Sequence, residues 1–98
     1  MIKSFRSTSL QAFWETSTVE RIPTDWVKKI ELILDLLDAA ESPEAMAIPG
    51  LRFHGFAGGT KPRFAVMASK AWRISFAWKQ GDAYGVNLDE IHGPGSRS

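Results

Sequence analysis

The chain contains no cysteine. That excludes a disulfide staple and a thiolate zinc site, so packing must hold the fold together. No apolar run approaches the ~20 residues that cross a bilayer. The opening MIKSFRSTSL lacks the apolar stretch of a secretory signal. A soluble cytoplasmic protein with no membrane partner is expected. Histidine is scarce, with two residues, and tyrosine scarcer, with one. Two histidines without a clear carboxylate companion do not make a metal site, so no metal is expected. The Gly58-Gly59 pair has neither the spacing nor the following helix of a phosphate loop, so no nucleotide cofactor is expected either. No repeat is visible. At 98 residues the chain reads as one domain over 1–92 with a polar tail at 93–98.

What is present is a globular composition, 44% apolar and 23% charged. The net charge of +1 hides an asymmetry: residues 1–50 carry five Lys and Arg against eight Asp and Glu, the remainder seven against three. Between Leu51 and Gln80 lie six bases and no acid. Such a block is a candidate anion-binding face.

Local patterns place the elements. Ile2 to Phe5 alternates as a short strand. Ser7 to Ser9 offers N-caps for a helix carrying Leu10, Phe13 and Trp14 and ending near Thr16–Thr18. After Pro23, Thr24 and Asp25 open a helix predicted over 24–40. Trp26, Ile30, Ile33, Leu34 and Leu37 form its apolar stripe, widened by Leu32 and Leu36, and the whole is read as core. Ser42-Pro43-Glu44 opens a brief second helix. Everything after the Pro49-Gly50 turn reads as strand: 51–56, 63–68, 71–78 and 82–91, with a loop at 57–62 and a tight turn at Lys79-Gln80-Gly81. Trp72, Ile74, Phe76 and Trp78 share one face; Arg73 and Ser75 share the other. Helices followed by consecutive strands predict an α+β fold, an antiparallel sheet packed by the N-terminal helices.

His54 is expected to share a face with Arg52, and Arg73 to join them if register allows; His92 ends the last strand. A face with two imidazoles, several cations and no acid of its own suits a phosphodiester. RNA cleavage through the 2′-OH needs a base, an acid for the leaving 5′ oxygen and a cation for the charged phosphorane. Histidine can serve both proton roles and arginine offers a fork for phosphate. Phe56 and Phe64, beside the basic loop, are candidates to stack on bases.

The segments MIKSF, LDAAESPEAM, IPGLRFHGF, AWRISFAW, GDAYGVN and the closing histidine together resemble the HigB-type toxins of the RelE superfamily. The resemblance covers about residues 1–92. It implies a RelE-like microbial RNase fold and a ribosome-dependent mRNA interferase cutting in the A site without metal. It implies a helix-turn-helix, HigA-type antitoxin, through which alone operator DNA is met. Carried over by position, His54, Arg73 and His92 would be catalytic, with Glu90 as a retained acid. Arg52, Lys61, Arg63 and Lys70 would contact RNA or phosphate. The chain departs from the family pattern at Ala57, where lysine is usual, and at Ile91, where an aromatic precedes the histidine. Those departures imply an alternative, a weakened toxin acting mainly as an antitoxin-binding partner in operator regulation. A third reading, from relatives of the same fold, is inhibition of DNA gyrase.

Overall fold

A computed structural model of the chain describes residues 1–20, 22, 24–58 and 61–90, of which 56–58 and 61–62 by backbone alone. Helix α1 spans Thr8–Thr16. Ser7 caps it, its Oγ accepting from the Leu10 N–H at 3.1 Å. It ends at Ser17, in the left-handed region at φ 59°. Helix α2 spans Val27–Ala39 and buries Ile30, Ile33, Leu34 and Leu37. A 3₁₀ turn over Thr24–Trp26 leads into it. Thr24 is therefore not the cap of the α-helical part, which begins after Trp26 with no side-chain cap. A second 3₁₀ turn covers Pro43–Met46.

Four antiparallel strands follow in the order β1-β2-β3-β4: β1 His54–Gly58, β2 Lys61–Met67, β3 Trp72–Lys79 and β4 Asp82–Glu90. The α+β expectation holds: two helices pack on one face of an antiparallel sheet. Leu10, Phe13, Ile30, Ile33, Leu34 and Leu37 meet Val66, Ile74, Phe76, Ala83 and Val86 in one core. That contact follows from the two periods, 3.6 in α2 and 2.0 in β3. Gln80 and Gly81 both have positive φ, 53° and 86°, as a two-residue hairpin between β3 and β4 demands.

Several boundaries move. Residues 2–5 do not form a strand of the sheet. Ile2 and Phe5 make two isolated parallel bridges to Ala83 and Val86, docking the N-terminal segment along β4. The first expected strand does not start at Leu51. Arg52 sits at φ 52°, which breaks the extended run, and pairing starts at His54. Pairing then continues to Gly58 and resumes at Lys61, where a loop over 57–62 is expected from composition. Ladder hydrogen bonds outweigh the weak strand preference of glycine and proline there.

Two aromatic expectations fail. Phe64 lies on the helix side, packed between Phe53 and Phe76 with both ring centroids 5.8 Å away. It is half-buried against the core and does not belong to the open face where a base would stack. Trp26 is 38% exposed and Leu32 51%, so the widened face of α2 is not all core. The sheet covers one stripe of the helix and leaves its flanks in solvent.

Candidate active site

The face of the sheet away from the helices is set by register. His54 pairs with Ala65, Ala65 with Ser75, and Ser75 with Asn87, so these four form one row. Met67, Arg73 and Asp89 form the next row on the same face. Phe56, Arg63, Ala77 and Tyr84 form the row on the other side. The sequence-predicted residues His54, Arg63 and Arg73 thus come together on one surface. From β1 to β3 is two strand spacings, about 10 Å.

That face carries an acid, contrary to expectation. Asp89 Oδ2 accepts from Arg73 Nε at 3.2 Å and from Ser75 Oγ at 3.0 Å. Asn87 Nδ2 donates to the other carboxylate oxygen. Ser75 Oγ in turn accepts from Arg63 Nη2 at 3.1 Å. The same Arg63 nitrogen donates to the Gly85 carbonyl at 2.8 Å. The result is a continuous network, Arg63–Ser75–Asp89–Arg73, buried at one end and open at the other. Arg63 and Ser75 are 9% and 2% exposed, whereas the Arg73 side chain keeps 33% of its surface exposed. Gripping Arg73 through Nε fixes the plane of its guanidinium, which a flexible arginine would otherwise have to lose entropy to adopt.

Arg63 is therefore placed differently from an exposed phosphate contact. Burial holds its guanidinium below the ordinary value. Arg6 pushes the same way, Asp89 opposes them, and Arg73 adds a further push downward. Arg6 enters because the N-terminal segment docks on β4, its amide donating to the Val86 carbonyl at 2.8 Å. No spacing rule links residue 6 to residue 63, so this cation is invisible in the sequence. With Arg6, Arg63 and Arg73 against Asp89, the described charges around the network sum to positive.

The Gly85 carbonyl reaches Arg63 because of a bulge. Ala77 pairs with Tyr84 and Ser75 with Asn87, so Gly85 and Val86 together oppose Phe76. Gly85 has φ 58°, the left-handed position that starts such a bulge. A Cβ at Gly85 would stand 3.4 Å from Arg63 Nη1.

His54 opens β1 and is exposed. Its Nδ1 lies 3.0 Å from the Arg52 carbonyl. A carbonyl can only accept, so Nδ1 carries the proton, and in the neutral ring Nε2 is the basic nitrogen. The unusual backbone of Arg52 thus selects the tautomer of His54. A non-glycine residue held there costs about 1–3 kcal/mol.

Glu90 pairs with Trp72, in the row that faces the helices, and is exposed. It does not join His54 and Arg73; the acid beside Arg73 is its neighbour Asp89. Lys70 lies in the β2–β3 turn and Arg52 just before β1, both exposed and both off the central rows. Lys61 pairs with Gly58 at the end of the first hairpin, and its side chain lies outside the described residues. His92 and Ile91 also lie outside them, as does the 93–98 tail. Among the described residues no three His, Asp or Glu side chains gather to hold a metal ion. No helix among them is long and apolar enough to cross a membrane.

Comparison with known proteins adds two findings. Residues 3–91 match the family described as RelE-like toxin of type II toxin-antitoxin system HigB. Two characterised proteins align along nearly their whole length. Endoribonuclease HigB of Proteus vulgaris is 27% identical over 92 residues, covering 94% of this chain and 100% of its own. Toxin HigB-1 of Vibrio cholerae serotype O1 is 31% identical over 91 residues, covering 91% and 96%.

Proposed function

The chain belongs to the HigB-like family of RelE-like toxins of type II toxin–antitoxin systems, and from that premise we propose that it is an endoribonuclease cutting ribosome-bound mRNA in the A site. The observation that carries the reading is Arg73, held by Asp89 on the open sheet face that also bears His54. The relative named an endoribonuclease supports the same reaction class.

The bonds and protons of the step balance within the chain and its RNA. The 2′-OH gives up its proton and its oxygen attacks the adjacent phosphorus. The bond to the 5′ oxygen breaks, leaving a 2′,3′-cyclic phosphate, and the departing oxygen takes a proton. His54, basic at Nε2, and His92 divide these two proton transfers. Arg73 faces the extra negative charge of the phosphorane, and its anchored plane makes the stabilisation preorganised. Arg63, Ser75 and Asn87 act through Asp89 as positioning residues. Lys61 and Lys70 contribute charge toward the RNA backbone. A helix-turn-helix antitoxin of HigA type would silence the toxin, and operator DNA would be met through that complex.

The test is primer extension on a reporter mRNA after brief induction. New cuts with wild type that vanish with Arg73→Ala and with His54→Ala are the expected result. An intact message with folded wild-type protein would overturn the reading. It would favour the second one, an antitoxin-binding protein with weakened chemistry, which Ala57 in place of the usual lysine supports. Capture of the antitoxin by the same wild-type protein would then be the finding to expect.

A further inference from the structure

A cleft of about 300 Å³ lies beside the catalytic face, between the start of α2, the segment before β1 and the β2–β3 turn. Its walls include Trp26, Lys29, Arg52, Met67, Ser69 and Lys70. We propose that this cleft is a second RNA subsite, which takes one unpaired nucleotide with its base on Trp26 and its phosphates on Lys29, Arg52 and Lys70. The proposal rests on the endoribonuclease reading and gives it a substrate-positioning site outside the catalytic rows.

Three observations carry it. The first is Trp26 itself, which helical periodicity assigns to the core stripe but which is 38% exposed. Among the described residues it is the one aromatic side chain in the group of exposed large apolar residues. The second is charge. Among the described residues, three cations from three separate segments line the cleft and no acid does. Gathering like charges is unfavourable unless an anion joins them. The third is continuity. Met67 pairs directly with Arg73, and the Arg52 carbonyl accepts from His54 Nδ1. Two residues of the cleft wall therefore neighbour the two chemical groups of the catalytic face, Met67 beside Arg73 and Arg52 beside His54. RNA with its scissile phosphate at Arg73 would lead a neighbouring nucleotide into it.

The occupant follows from the pairing of an aromatic plane with cations. A nucleotide supplies a base to stack and phosphates for the bases of the protein, whereas an acidic peptide would leave the indole face without a partner. Stacking on a tryptophan tolerates any base, and the base must be unpaired to offer its face.

The probe is a fluorescein-labelled 2′-O-methyl RNA hexamer, which binds but cannot be cut because the attacking hydroxyl is blocked. Anisotropy titrations compare the full-length wild type with variants. Trp26→Leu is expected to weaken binding about tenfold, while Trp26→Phe, which keeps a stacking ring, stays within about twofold. Lys29→Gln and Lys70→Gln should each lower the slope of log affinity against log salt by about 0.7. A merely structural tryptophan would not give that pattern, because Leu and Phe would then behave alike. Equal affinity of wild type and Trp26→Leu overturns the subsite, as does absence of hexamer binding by wild type. Unchanged hexamer binding with lost antitoxin capture in Trp26→Leu assigns the cleft to a protein partner and also overturns it. The endoribonuclease reading is judged separately, by whether wild type cuts mRNA in a translating extract.

Discussion

At position 89 one carboxylate receives Arg73, Ser75 and Asn87, and through Ser75 it is tied to Arg63. Removing it takes away the carboxylate that orients the Arg73 Nε. Asp89→Ala is therefore expected to lower the cleavage rate by about 10²-fold, the cost of a misplaced group, with little change in RNA affinity. Single-turnover cleavage with matched binding titrations measures that split. Arg63→Ala acts differently, because it strands buried polar groups. The Gly85 carbonyl loses a charged donor and Ser75 Oγ loses one of its two partners. A loss of about 1.5–3 kcal/mol in stability is expected from urea unfolding. Lysine cannot replace arginine at 73, since a single ammonium cannot offer Asp89 an Nε while facing a phosphate with a second edge. Arg73→Lys should keep the fold and lose most of the cleavage, read as an unchanged melting temperature beside absent cuts.

Elements carry two weak points that residues alone do not reveal. The β4 bulge places two residues opposite Phe76, and its first residue is Gly85 at φ 58°. Gly85→Val adds a branched side chain in the left-handed region and against the Arg63 guanidinium, which a Cβ would approach to 3.4 Å. The expected outcome is a stability loss of at least about 1–2 kcal/mol, together with reduced cleavage as the branched carbons beyond the Cβ crowd Arg63. Thermal melting and primer extension check the two effects. The second point is the start of α1, where Ser7 Oγ accepts from the Leu10 N–H. Ser7→Ala should cost about 1 kcal/mol, a fall of roughly 4–8 °C in Tm for a domain of this size. It should leave the cuts unchanged, since Ser7 lies on the side of the helices.

At the scale of the molecule, one core joins helices and sheet, and Phe76 is fully buried at its centre, touching Phe64 at 5.8 Å and Trp78 at 6.3 Å between centroids. Phe76→Ala is expected to cost about 3–5 kcal/mol, a large share of the total stability of a domain, about 5–15 kcal/mol. Equilibrium denaturation measures it. Much of this architecture is legible locally. The alternation through Trp72–Trp78 assigns its faces correctly, the spacing of Ile30, Ile33, Leu34 and Leu37 marks the buried side of α2, and Gln80-Gly81 marks the hairpin. All of these rest on neighbours within about seven residues, where backbone period decides which way a side chain points. What fails rests on longer distances. Asp89 and Glu90 are adjacent, and nothing local says which of them faces Arg73; the register of β4 against β3, shifted by the bulge, decides it. Arg63 and Lys70 belong to one basic block, yet one turns inward onto Gly85 and the other stays in solvent. Arg6 reaches the site because the N-terminal segment lies along β4, 81 residues away in sequence at the Phe5–Val86 level. By itself the amino-acid order determined the kinds of elements, their sequence, the two sides of the central strand and the family motif. Tertiary structure alone decided which charges meet, which are neutralised and which tryptophan is left outside, because strand register and helix docking join residues whose separation no local period can encode.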